Sequence, residues 1–245
     1  MNNAAGLTYL RFELLSALRN TRFFLFSLGF PLILFFVVAG SNRNVQLGGI
    51  PFAVYYMAGM ISWGTMAAVV GSGARISAER AVGWNRQLRL TPLTPRAYIR
   101  AKVLGGYLVA LMSIVLLYAA GVSLGVRLPA GRWVAMTLLV LVGLIPFAAM
   151  GIWLGHVLTP EVIGPALGGV TAIFALLGGA WGPLGESGFM LHVAQALPSY
   201  WLVQAGHVAV TGTRWSLTGW GVIAAWTVVF GVLAARAYRR DTLRV

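Results

Sequence analysis

Residues 79–102 read Glu-Arg-Ala-Val-Gly-Trp-Asn-Arg-Gln-Leu-Arg-Leu-Thr-Pro-Leu-Thr-Pro-Arg-Ala-Tyr-Ile-Arg-Ala-Lys. They hold Glu79, one of only five acids, the arginines Arg80, Arg86, Arg89, Arg96 and Arg100, and Lys102, the single lysine; Arg75 stands a turn earlier. The flanking sequence is almost wholly apolar, so this stretch must lie in water. Ala81, Trp84 and Leu88 recur at i, i+3 and i+7, which predicts a short helix from about Ser77 to Leu90 with an apolar stripe beneath a basic face. Thr91-Pro92 ends it. Thr94 followed by Pro95 has the form of an N-cap with proline at the first helical position, so a new helix starts there and runs on into apolar sequence.

Hydrophobic residues make up 59% of the 245 and charged residues 9%, with a mean hydropathy of +0.82; soluble domains carry roughly 25% charged residues. The chain therefore reads as an all-α, polytopic integral membrane protein. At about 20 apolar residues per span it has room for about six spans, and residues 1–245 form one transmembrane domain with no soluble domain. The net charge of +13 sits in loops between spans, where a topology signal explains it, so no nucleic-acid partner is expected. Cysteine is absent, which removes disulfides and thiolate metal sites. Arginine outnumbers lysine 17 to 1, and glycine and alanine are abundant, a composition that points to a bacterium with a GC-rich genome.

Upstream of the basic stretch, Leu7, Leu10, Leu14 and Leu18 share one helical face, with Glu13, Ser16 and Asn20 opposite and Arg11, Arg19 and Arg22 flanking. That pattern predicts a helix lying in the membrane surface over residues 1–22. Phe23 to Gly40 is the first expected span, with Pro31 tolerable inside a bundle. A polar turn from Ser41 to Pro51 leads to the second span, Phe52 to Ala74.

Downstream, the third span runs from about Val103 to Leu124 and the fourth from Trp133 to about His156. A break over Val157 to Ile163 precedes the fifth, from about Gly164 to Trp181. Residues 182–214 mix Glu186, His192, Gln195 and His207 with Phe189, Met190, Leu197 and Trp201. Two short amphipathic helices broken at Pro198-Ser199, dipping into the membrane edge and returning, fit that mixture. Trp215 to Ala235 is the sixth span.

Six spans put both termini on one side. The N-terminal segment, the 75–102 loop and the C-terminus carry 3, 7 and 4 basic residues, 14 in all, against Arg43, Arg127, Arg132 and Arg214 on the other side. The asymmetry predicts cytoplasmic termini and a cytoplasmic basic loop.

No Gly-x-x-x-x-Gly-Lys-Ser/Thr motif occurs, so any ATP that drives the chain binds to another polypeptide. No set of residues has metal-ligand or acid/base spacing, and no catalytic residue, metal or cofactor is expected in this chain. All five acids fall in expected loops or interfacial segments, whereas an ion-coupled carrier usually holds an ionisable group inside the membrane; only His156 and His207 stand near span ends. Glycines four apart occur at Gly121/Gly125, Gly151/Gly155, Gly164/Gly168 and Gly178/Gly182, a spacing that permits close helix approach.

These features together resemble the ABC-2 family of permease subunits, the membrane halves of bacterial drug, antibiotic and polysaccharide exporters. The resemblance covers the whole length and is carried most specifically by Glu79, Gly83, Leu88 and Thr91-Pro92, with Lys102 closing the loop, and by Leu197-Pro198-Ser199-Tyr200 before the last span. It implies that residues 75–102 form a coupling loop seated in a groove of a separate ATPase, through Glu79, Arg80, Gly83, Trp84 and Leu88. It implies a connecting helix at the N-terminus and outer re-entrant helices in which Glu186, Pro198 and Tyr200 close the exit. Two permease copies, a homodimer or a heterodimer, would work with two ATPases that bind ATP and Mg, and Gly164 and Gly168 would lie at the permease contact. The implied function is outward movement of a drug-like, lipid-like or antibiotic substrate across the bacterial cytoplasmic membrane. A polysaccharide-export permease, an ion-coupled or facilitative carrier working without an ATPase, and a membrane assembly protein remain open as alternatives.

Overall fold

The computed structural model describes residues 3–19, 25–47, 49–84, 87, 90–185, 187–212 and 215–243. Arg22, Phe23, Arg86, Leu88, Arg89, Glu186, Arg214 and Arg244 lie outside the described residues. Helices account for nearly all of the rest: α1 (Asn3–Arg19), α2 (Phe30–Leu34), α3 (Phe52–Ala74), α4 (Ile76–Ala81), α5 (Pro95–Ser123), α6 (Ala130–Gly143), α7 (Ile145–Val157), α8 (Pro160–Gly178), α9 (Phe189–Gln195), α10 (Pro198–Thr211) and α11 (Leu217–Leu243). A two-strand hairpin, β1 (Gln46–Leu47) against β2 (Ile50–Pro51), tightens the turn before α3.

Five of these runs are long and apolar enough to cross a membrane: Phe52–Ala81, Pro95–Ser123, Ala130–Val157, Pro160–Gly178 and Leu217–Asp241. The segment expected as the first span is a shorter apolar helix in its described part, with π-helical turns at Leu25–Gly29 and Phe35–Ala39 on either side of α2. Pro31, buried at the start of α2, has no N–H to give, and the wider turns on both sides accommodate it.

At the centre stands α3, most of whose residues are buried by α5, α7, α10 and the 25–41 helix. Its small residues let the neighbours in. A Cβ on Gly73 would lie 2.5 Å from the Gly151 carbonyl carbon, and one on Gly151 would lie 2.5 Å from the Val70 carbonyl oxygen. Only glycine at both positions permits backbones to cross this closely. Of the four glycine pairs noted in the sequence, Gly151/Gly155 therefore makes a close helix crossing within the chain.

Proline sets several boundaries. Thr94 caps α5 by accepting a hydrogen bond from the Ala97 N–H (3.3 Å), with Pro95 at the first position, as the sequence predicts. The fourth span is bent, since α6 stops at Leu144 and α7 begins with Pro146 in its first turn. The break before α8 is only Leu158 and Thr159, shorter than expected, because Pro160 suits a helix start rather than a loop. The segment before the last span is two helices divided at Pro198, as expected. The final helix runs past Ala235 to Leu243, because its basic residues continue the helix beyond the apolar run.

Candidate coupling site

One end of the bundle gathers α1, the α3–α4 junction, the start of α5, the end of α7 and the end of α11. What binds them is charge. Lys102 Nζ donates to Glu13 Oε2 (2.7 Å) and to Glu79 Oε1, and Arg75 donates to Glu13 Oε1. Tyr98 donates its hydroxyl to Glu79 Oε2 (2.7 Å), and Ser72 Oγ donates to the Lys102 carbonyl (2.9 Å). Two carboxylates thus meet two cations. The side chain of Lys102 is fully out of solvent and that of Glu13 is 2% exposed, so each requires the other: removing one partner of such a pair costs about 3–5 kcal/mol.

Beside it lies a second, more open group. Arg80 Nε contacts Asp241 Oδ2 at 2.7 Å, and His156 Nδ1 lies 3.0 Å from the same oxygen. An ionised carboxylate only accepts, so the proton of that hydrogen bond sits on His156 Nδ1. Ser77 Oγ donates to the Leu158 carbonyl (2.7 Å), which fastens α4 to the end of α7. Three of the five acids are committed to these two groups.

This arrangement corrects several sequence expectations. Glu13 does not face water opposite a leucine stripe. It is 1% exposed, whereas Leu7 is 66% exposed, because Tyr9 and Glu13 form the inner face of α1, with Tyr9 against the Tyr98 ring (5.6 Å between centroids). Ion pairing with Lys102 and Arg75 turns Glu13 inward, while Leu10 and Leu14 are half-buried. Burial, with Glu79 and Glu13 nearby, raises the Tyr9 phenol above its usual range, so it stays neutral.

The helix expected over Ser77 to Leu90 ends at Ala81. Gly83, at φ +70°, takes the left-handed conformation that closes a helix, and helical bonding resumes only with Gln87 N–H to the Gly83 carbonyl (3.4 Å). Of the expected stripe, Ala81 is exposed, Leu88 lies outside the described residues, and Trp84 is half-buried against the Phe12 ring of α1 (6.1 Å). Both carboxylate oxygens of Glu79 are engaged inside the chain, where the sequence reading would have one free for an external partner. The single lysine, set between Ala101 and Val103 in an apolar run, and the scarcity of acids were the signals that could have foretold the cluster.

The other expected site residues stand elsewhere. Pro198 is the first residue of α10. Tyr200 packs edge-on to Trp201 and lines a cavity of about 670 Å³ with Tyr55, Gln204 and His207 at the end of the bundle opposite the termini; Glu186 lies outside the described residues. At Gly164 and Gly168 a Cβ would meet nothing within 4 Å. These two glycines line an apolar cleft of about 510 Å³ with Phe30, Trp63 and Thr171.

Comparison with known proteins places the chain in a family. The profile of the family described as "ABC-2 family transporter protein" matches residues 41–236. The chain belongs to the ABC-2 family of transporter proteins. It is also 26% identical over 233 residues to the "Putative transport permease YvfS" of Bacillus subtilis (strain 168), covering 94% of this chain and 95% of that protein. Family membership makes it a multi-pass transport permease.

Proposed function

We propose that this chain is the membrane subunit of an ABC exporter, operating as two copies with a separate ATPase that binds ATP and Mg. The observation that carries the reading is the charge-rooted loop. Residues 81–93 connect α4 to α5 beside this cluster, and Trp84, the one aromatic in that stretch, is half-buried against Phe12. The cluster of Glu13, Arg75, Glu79 and Lys102 makes the base of that loop rigid, so force applied there reaches α3, α5 and α1 together.

The 14-to-4 basic asymmetry supports cytoplasmic termini in a bacterial cytoplasmic membrane, with the 25–41 helix counted as a sixth crossing. The open face at Gly164 and Gly168 supports contact with a second permease across the apolar cleft. Walls of Phe30 and Trp63 suit a drug-like, lipid-like or antibiotic substrate better than a sugar polymer.

The test is co-purification of the co-expressed ATPase. Trp84→Ala removes the anchor, and truncating a central aromatic costs about 2 kcal/mol or more, roughly thirtyfold in affinity. Phe12→Ala, which removes only the ring beneath it, should weaken recovery less. Equal recovery by wild type and Trp84→Ala at physiological salt would mean that the loop is not the docking surface. Transport without any ATPase would favour a carrier working alone.

A further inference from the structure

The basic residues on the face opposite the termini run against the topology signal, and three of the four, Arg43, Arg127 and Arg132, line a single cavity of about 500 Å³. They come from three separate segments: the turn before β1, the loop after α5 and the first turn of α6. Arg127 Nη1 donates to the carbonyls of Val122 (3.2 Å) and Val126 (3.4 Å), and Arg132 Nη1 donates to the Val210 carbonyl near the end of α10. Each guanidinium has five N–H donors, so these bonds fix the two groups in place and leave most of their donors for something else. Arg43 makes no hydrogen bond or ion pair among the described residues.

Among the described residues no carboxylate balances them. Of the described acids, Glu13, Glu79 and Asp241 sit in the ion-paired groups at the opposite end of the bundle, and Glu161 starts α8 at that same end. The rest of the lining is largely apolar and includes Val54, Leu124 and Val126. A cavity lined by three arginines that no described carboxylate pairs, and otherwise by mostly apolar residues, is complementary to an anionic headgroup with a hydrocarbon tail, since charge-assisted bonds from arginine to phosphate are strong and directional.

We infer that this cavity binds the phosphate of an anionic lipid from the membrane leaflet on that face. The inference rests on these loops lying at a membrane surface, and it requires neither the ATPase nor the exported substrate proposed above, so the two readings fail separately.

The experiment uses the purified full chain in phosphatidylcholine nanodiscs doped with a photoactivatable phosphatidylglycerol, with cross-links mapped by mass spectrometry. Labelling is expected on residues 43–54 and 122–132. It should fall about fivefold for each Arg→Gln change, the equivalent of about 1 kcal/mol per basic residue at a lipid surface, while Arg→Lys variants keep most of it. Arg43→Gln is the decisive single variant, because Arg43 supports no bond within the described fold. Unchanged labelling in Arg43→Gln, or equal labelling by photoactivatable phosphatidylcholine, would overturn the inference and leave three arginines merely reaching for water. Displacement by millimolar inorganic phosphate at constant ionic strength would assign the cavity to a soluble anion and overturn the lipid. Labelling at the opposite end of the bundle should be the same in every variant, which separates loss of this site from loss of the fold.

Discussion

Glu13 and Lys102 are 89 positions apart in the chain and meet at 2.7 Å, both shielded from solvent. The pair joins α1 to α5 at the point where the basic loop re-enters the bundle. Lys102→Met would leave Glu13 and Glu79 short of a cation, and thermal unfolding in detergent should show a loss of about 3–5 kcal/mol. Removing one charge of each sign, with Glu13→Gln and Lys102→Met together, leaves Arg75 and Glu79 to balance each other and should recover part of the loss. A Lys102→Met protein as stable as wild type would mean that the cluster is not what holds this end together.

The Arg80 and Asp241 side chains are 28% and 20% exposed, so solvent screens their interaction. Asp241→Asn should cost about 1 kcal/mol or less in the same assay. The order of the two effects, Lys102→Met far above Asp241→Asn, is the informative result.

Gly151 abuts backbone of a neighbouring helix, whereas a Cβ at Gly168 would meet nothing within 4 Å. Gly151→Ala would drive a methyl to 2.5 Å from the Val70 carbonyl oxygen, and fluorescence-detected size exclusion should show loss of the folded peak. At Gly168 the added Cβ has open space and the rest of a leucine can extend into the adjoining cleft, so the folded peak of Gly168→Leu should survive. If Gly168 lies against a second permease, cross-linking of the two copies should fall in that variant alone.

Orientation can be read with single cysteines, since the chain has none. Val82→Cys, 76% exposed on the basic loop, should resist an impermeant thiol reagent applied to intact cells. Ser187→Cys, exposed at the opposite end, should react. The reverse pattern would invert the map.

Much of the fold was legible because a few residue types leave little choice. Long apolar runs must be buried in lipid or protein, Thr94-Pro95 starts a helix and Pro198 divides one. The candidate site was legible in its location but not in its wiring. Glu13 sits on a helix whose leucine spacing gives no reason to bury a carboxylate, and the partners that bury it, Arg75 and Lys102, are distant in sequence. Gly83 is one glycine among 31, and nothing local distinguishes the one that must close α4. The reach of α11 to Asp241 was hidden because Arg236, Arg239 and Arg240 read equally well as a helical turn or as a loose cationic tail.

The continuity of α3 with α4 has a mechanical consequence. Arg75 N–H bonds to the Gly71 carbonyl and Glu79 N–H to the Arg75 carbonyl, both at 3.2 Å, so the two helices transmit load as a single rod. Between Tyr55, stacked on His207 at 4.2 Å, and Glu79 that rod is about 36 Å long at a rise of 1.5 Å per residue, and a tilt of about 5° at one end moves the other by about 3 Å. The Tyr55–His207 stack and the Glu79 carboxylate are thus two ends of one continuous helical element, so a rotation imposed at Glu79 would be felt at the ring stack on α10.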